Sequence, residues 1–225
     1  VGEGTLALGI TGRDMLLDSE AEADEVMSLG FGGTRFRFAA PGGSTMSVAD
    51  LDGKRIATSY PGLVRTYLAS HGVTARLIHL DGAVESSVRL GVADVVADVV
   101  ETGTTLKRAG LELFGDAILE SEAILIQRRN SPAPEGLGLL QRRLNGVITA
   151  RDYLMVDYNV PRDLLDAACR VTPGLDAPTV SPLAKDGWVA VRAMIPAREA
   201  QRIMDDLWDT GADAILVTSI HACRL

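Results

Sequence analysis

Between Gly91 and Leu106 the chain reads Gly-Val-Ala-Asp-Val-Val-Ala-Asp-Val-Val-Glu-Thr-Gly-Thr-Thr-Leu. The β-branched run Val95–Val100 reads as a buried strand that carries an acid, Asp98. The turn Thr102-Gly103-Thr104-Thr105 follows it and opens a helix. A buried strand of this kind needs cover on both faces, and the neighbouring segments supply it. Ile56–Thr58 and Val73–Leu80 read as further strands, while Tyr60–Ser70 and Val84–Leu90 read as helices. Strands spaced by helices predict an α/β domain with a mainly parallel sheet. Ligands of such sheets bind at the carboxyl ends of the strands. The loops after Ile10, Thr58 and Val100 are therefore where chemistry is expected.

The ends of the chain read differently. Leu6–Ile10 is a short strand ahead of the loop Thr11-Gly12-Arg13-Asp14, and Arg35–Ala40 alternates as a strand. The Ser/Pro/Gly-rich stretch Asn130–Gly138 is a break. After it, Tyr153–Val160, a helix opened by Pro161, Thr179–Leu183, Trp188–Ile195, a further helix and Ala214–Ser219 give the order β-α-β-β-α-β, a ferredoxin-like unit. In its second helix, Ala200, Ile203, Met204, Leu207 and Trp208 form an apolar stripe that closes at Gly211.

Composition removes several function classes. With 30 Asp+Glu against 22 Lys+Arg the net charge is −8, so a phosphate-backbone partner is not expected. Apolar runs are broken by acids well before the roughly 18 residues of a membrane span. The two distant cysteines, Cys169 and Cys223, have no zinc spacing and read as reduced thiols of a cytoplasmic protein.

Local chemistry is most concentrated after Asp98. A helix start with Gly103 for close approach and Thr102, Thr104 and Thr105 as hydroxyl donors suits a phosphate. Asp98, at the strand's end, is placed to accept from sugar hydroxyls. On the residues alone, Thr102 as a simple N-cap explains the turn equally well.

The spacing of Glu85, Gly91, Ala93, Val96, Asp98 and Thr102-Gly103-Thr104-Thr105-Leu106 resembles the signature of the ATP phosphoribosyltransferase family, which opens histidine biosynthesis. Gly9–Asp14, Asp50–Thr58 and Leu80–Glu85 also look like that family, and Thr172–Leu175 and Pro178–Val180 are similar to the C-terminal regulatory domain of its long form. The resemblance implies a two-lobed, periplasmic-binding-protein-like catalytic region with an ACT-like C-terminal domain. Residues 1–32 with 128–152 would form lobe I, 33–127 lobe II, and 153–225 the regulatory domain.

It also implies roles. Glu101, Thr102, Gly103, Thr104 and Thr105 would cradle the 5-phosphate of phosphoribosyl pyrophosphate, with Asp98 and Glu85 on the ribose. Arg13, Asp14 and Tyr60 would face ATP. Mg²⁺ would ride on the diphosphate, its protein ligands unassigned. The implied reaction joins N1 of adenine to C1 of ribose and expels pyrophosphate. Histidine would inhibit through Asn159, Leu175, Asp176 and Thr179, in a homo-oligomer between dimer and hexamer. Asn159 stands where an acid is expected to meet the effector's amino group. On the family pattern roughly 55 residues would precede Val1, leaving an open sheet edge and an exposed apolar face. A catalytically incomplete histidine-sensing subunit and a two-lobed solute-binding protein are the alternative readings.

Overall fold

Apolar runs and glycine-rich turns set the order of elements in the first half of the chain. The computed structural model describes residues 1–44, 46–100 and 103–224. Contacts divide the chain into Val1–Glu135 and Gly136–Leu225. The first unit contains β1 (Leu8–Gly12), α1 (Arg13–Ser19), β2 (Ala23–Ser28), β3 (Thr34–Pro41), β4 (Arg55–Thr58) and α2 (Pro61–Ser70). It continues with β5 (Arg76–His79), α3 (Ser86–Arg89), β6 (Val95–Val100), α4 (Thr104–Arg108), β7 (Leu111–Ser121) and β8 (Ala123–Arg128).

These strands form two sheets, ordered β1-β8-β2 and β5-β4-β6-β3-β7. The chain crosses between them after β2 and again after β7, the double crossover of a two-lobed region. Strand β6 lies inside the larger sheet. On one face Val95 and Ala97 join Phe36, Phe38, Leu51, Ile56 and Val64 in a core. On the other, Val96 and Val100 pack with Ala39, Ala57, Val84 and Leu106. Cover on both faces is what the Val-rich run requires.

The larger sheet is mixed rather than mainly parallel. Strand β4 pairs parallel with β5 and β6, but β3 runs antiparallel to both β6 and β7. Strand β3, which enters the sheet from the first crossover, is the one that runs against the other four. The segment Arg13-Asp14, expected as loop, opens helix α1. The predicted 73–80 and 84–90 elements are shorter, Arg76–His79 and Ser86–Arg89. Strand β8 pairs with β1 and β2, so residues from Ala123 share the smaller sheet. Strand β1 is an edge, and Leu6, Ile10 and Met15 near it are exposed.

The second unit begins with α5 (Leu137–Asp152), followed by β9 (Tyr153–Pro161), α6 (Leu165–Val171), β10 (Thr179–Pro182), β11 (Trp188–Pro196), α7 (Ala200–Asp209) and β12 (Asp213–Ser219). Helix α5 thus groups with this unit by contact. The sheet order β10-β11-β9-β12, antiparallel throughout, is the ferredoxin-like arrangement. Val156, Tyr158 and Val160 of β9 pack with Val189, Val191, Ala168, Ile203 and Leu207. Burying Ile203 and Leu207 contributes about 1.5–3 kcal/mol each. Trp208 departs from the expected stripe, being 68% exposed. Pro161 ends β9 and precedes a 3₁₀ turn at Arg162–Leu164 instead of heading the helix directly. Among the described residues no helix is long and apolar enough to cross a membrane.

Candidate active site

Asp98 is carried by β6 into a half-buried position, with one oxygen accepting the Val99 N–H at 2.7 Å. Burial pushes its carboxyl above the usual value, the Val99 N–H opposes this, and the charge of Glu85 adds to the rise. Asp98 and Glu85 are therefore electrostatic neighbours. Arg37, opposite Asp98 on β3, donates to the Gly115 carbonyl at 2.6 Å.

Beyond β6 the chain enters α4 through Gly103, whose φ of +71° is the left-handed region that glycine tolerates. Gly103, Thr104 and Thr105 line a cavity of about 280 Å³ with Thr34, Val99, Val100 and Leu106. The calls on Glu101 and Thr102 lie outside the described residues.

Arg13 lines a larger cavity of about 510 Å³, together with Phe31, Thr34, Arg35, Val100, Glu120, Ser121 and Glu122. Thr34 and Val100 border both cavities. Within the larger one the Arg13 guanidinium makes a bidentate pair with Glu25, at 2.8 Å through both Nε and Nη2. It also donates to Ser28 at 2.8 Å, Glu122 at 3.2 Å and the Glu120 carbonyl at 3.3 Å. Hydrogen bonding to Glu25 holds Arg13 firmly protonated. Arg13 in turn holds the Glu25 carboxyl below its usual value. Burial pushes Glu122 up, but bonds from Arg13, Ser28 and the Gly30 N–H outweigh it and keep that carboxyl low. Glu122 accepts the Gly30 N–H at 2.9 Å, and Ala123 N–H donates to Phe31 carbonyl at 2.9 Å. Arg13 thus ties α1 to the end of β2 and to the second crossover, and its side chain is bonded to Glu25 rather than Asp14.

Asp14 is buried. Its N–H donates to Ser121 Oγ at 3.0 Å, and its Oδ1 accepts the Met15 N–H at 2.9 Å. Tyr60 heads α2 with its ring edge-on to Phe36, centroids 5.3 Å apart. Its N–H donates to the Thr58 hydroxyl at 3.0 Å. Desolvation raises the phenol, and the charges of Asp14, Asp98 and Asp18 raise it further. The charges of Asp14 on α1 and Asp98 on β6 thus both reach the Tyr60 phenol, while Gly103–Thr105 and Arg13 line cavities of their own. Sequence reasoning missed Thr34, Phe31, Ser121, Glu122 and Asp18. The run Gly30-Phe31-Gly32-Gly33 was the available signal for the crossover.

Asp94, four residues before Asp98, differs in kind. Arg55 grips it through Nη2 at 2.7 Å and Nε at 3.2 Å, and the Arg55 N–H adds a third bond at 2.9 Å. These bonds hold its pKa at about 2. Asp94 pins the start of β6 to β4.

In the second unit, Asn159 and Thr179 line a cavity of about 300 Å³ with Asp157, Ser181, Arg192 and Leu216. Leu175 and Asp176 precede β10 and are not part of its lining. Asp157 pairs with Arg192 at 2.6 Å, so an acid stands next to Asn159 on the same strand. Cys169 and Cys223 are free thiols. Among the described residues no group of three or more His, Cys, Asp or Glu could hold a metal.

The first unit is thus a two-lobed α/β region with a half-buried acid on β6 and a threonine-lined cavity at the head of α4, and a ferredoxin-like unit follows it. Residues 1–146 match the ATP phosphoribosyltransferase family, and residues 150–222 match the HisG C-terminal domain family. The chain is 59% identical to ATP phosphoribosyltransferase of Pseudarthrobacter chlorophenolicus, over its whole length and 80% of that protein. It is 55% identical to that of Streptomyces coelicolor, with the same coverage. Among solved structures, the ATP phosphoribosyl transferase (HisG:HisZ) complex of Thermotoga maritima superposes with TM-score 0.54 and 29% identity, over 62% of this chain and 67% of that one. The chain belongs to the ATP phosphoribosyltransferase family.

Proposed function

We propose that the cleft at the carboxyl ends of β4 and β6 condenses ATP with 5-phosphoribosyl pyrophosphate. Adenine N1 forms a bond to ribose C1 as the C1–O bond to pyrophosphate breaks, giving N1-(5-phosphoribosyl)-ATP and pyrophosphate. The carrying observation is that β6 carries the half-buried Asp98 and leads into a cavity lined by Gly103, Thr104 and Thr105. In this reading the cavity takes the 5-phosphate, with Glu101 and Thr102 completing it. Asp98 and Glu85 accept from the ribose hydroxyls. Their negative charge also steadies the cationic character that C1 develops as the leaving group departs. Tyr60 and Asp14 face the nucleotide. Arg13 borders the nucleotide cavity, but its bonds to Glu25 and Glu122 make it a brace of that wall. No nucleophilic side chain is needed, because holding the two substrates in line supplies much of the rate.

The residues present suit a metal that arrives on the diphosphate, since Mg²⁺ keeps waters and uses one or two carboxylates with substrate phosphates. Asp98 and Glu85 are the candidates here. When bound, Mg²⁺ would offset charge on the departing pyrophosphate.

The second unit is read as the histidine-responsive domain of a cytoplasmic homo-oligomer between dimer and hexamer. Asn159 and Thr179 share one cavity there. Asp157, beside Asn159, supplies the carboxylate that Asn159 lacks.

The test is pyrophosphate release from ATP, phosphoribosyl pyrophosphate and Mg²⁺, followed together with near-UV absorbance of the ribosylated adenine. Turnover in the parent chain that is lost in a Thr104→Ala/Thr105→Ala double variant supports the assignment. Equal turnover in both refutes it.

A further inference from the structure

Helix α2 has no cap of its own. Its N-cap residue, Tyr60, makes no side-chain capping bond, and Pro61 at the first helical position carries no N–H. The first-turn N–H of Leu63 goes instead to Asp18 Oδ1, 3.1 Å away and 45 residues earlier in the chain. Asp18 lies on α1, which follows β1 of the smaller sheet, whereas α2 follows β4 of the larger one. One lobe therefore supplies the cap for a helix of the other.

Gly62 makes the approach feasible. A Cβ there would overlap the Asp18 carbonyl oxygen and lie 3.2 Å from Oδ1. The nearby Glu20–Arg65 pair, at 3.8 Å with both side chains about two-thirds exposed, adds little. The other end of α1 is fixed, since Arg13 is bonded to Glu25 and Ser28 of β2 and to Glu122 of the second crossover. Seven residues of helix span about 10 Å, so α1 is a strut from the second crossover to the head of α2.

We propose that Asp18 is a positioning residue: it caps α2 from the opposite lobe and so holds Tyr60, at the head of that helix, in place beside Asp14 and Asp98. Asp18 touches no substrate in this account. It sets the spacing of the two walls that do.

The test combines amide exchange at Leu63 with steady-state kinetics in the parent, Asp18→Ala, Asp18→Asn and Gly62→Ala. Loss of an ordinary N-cap predicts about fivefold faster Leu63 exchange in Asp18→Ala. A smaller population of the competent arrangement weakens apparent affinity in proportion. KM for the substrates should therefore rise about two- to fivefold, with kcat within about twofold. Asp18→Asn keeps an acceptor oxygen and stays near the parent. Gly62→Ala leaves Asp18 intact yet shifts exchange and KM in the same direction as Asp18→Ala.

Unchanged Leu63 exchange in Asp18→Ala and Gly62→Ala overturns the cap. Faster exchange with unchanged KM overturns the positioning role. Should Asp18→Ala fail to fold, Asp18→Asn and Gly62→Ala decide the matter alone. The exchange measurement needs no turnover, so failure of the cap is distinguishable from failure of the transferase reading, on which the KM measurement rests.

Discussion

Strands β6 and β9 both run inside their sheets and both carry an acid, yet they treat it in opposite ways. The sheet around β6 has a core on each face, so Asp98 sits in a desolvated setting and its carboxyl is pushed up. The sheet around β9 is covered on the side of Val156, Tyr158 and Val160, leaving Asp157 and Asn159 on the open face. There Asp157 meets Arg192, which is 62% exposed. The first arrangement costs stability and suits a reacting sugar. The second costs little and suits a ligand that binds from water. Coverage of the sheet, rather than residue type, decides which.

The comparison can be sharpened from the covered face of β9. Leu207 is fully buried against that face. Leu207→Ala should lower stability by about 2–5 kcal/mol, read as a fall in the denaturant midpoint. A loss below about 1 kcal/mol would mean that this one covered face is not what holds the sheet.

Asp98→Asn is expected to lower kcat/KM about ten- to a hundredfold, the worth of hydrogen bonds to a charged acceptor. Stability should move the other way. A carboxyl raised in the folded state binds protons that the unfolded chain has released, so stability falls as pH rises from the ordinary value of 3.8 through the raised one. Asp98→Asn should remove that fall, and thermal melts between pH 4 and 7 check it. A melt that drops as far as activity does would make Asp98 a structural residue.

Arg192→Ala should give the smallest effect, with a denaturant midpoint close to the parent's, because the pair is screened by water. Asp94 offers the converse pH behaviour within the first unit. Its carboxyl is lowered to about 2 by Arg55, so its contribution is complete above the ordinary value of 3.8 and fades as pH falls toward 2. In Asp94→Asn the deficit at pH 7 should disappear in melts taken at that acidic end.

Strand β6 and the turn into α4 were legible because an apolar run followed by Thr-Gly-Thr-Thr has few other structural meanings. The ferredoxin-like order was legible because β9 and β11 alternate cleanly. Strand β7 was not. Gly115, at φ +62°, breaks its pattern at a register shift against β3, so the segment lacks a single period. Helix α1 was equally hidden, since Gly12 is a weak cap and tertiary bonds, among them those to Ser121, Leu63 and Glu122, hold the helix in place. The role of Arg13 depends on Glu25 and Glu122, 12 and 109 residues away, and no local pattern announces either. Trp208 kept the helical spacing of a core residue yet faces outward, since Ile203 and Leu207 already fill the packed side of the helix.

The most direct test is calorimetric titration of phosphoribosyl pyrophosphate into the parent chain and into the Thr104→Ala/Thr105→Ala variant. The account predicts saturable binding by the parent that weakens at least about tenfold in the variant, as loss of two hydroxyl donors to a charged phosphate implies. Equal affinity in both chains would contradict the placement of the phosphate at the turn after β6.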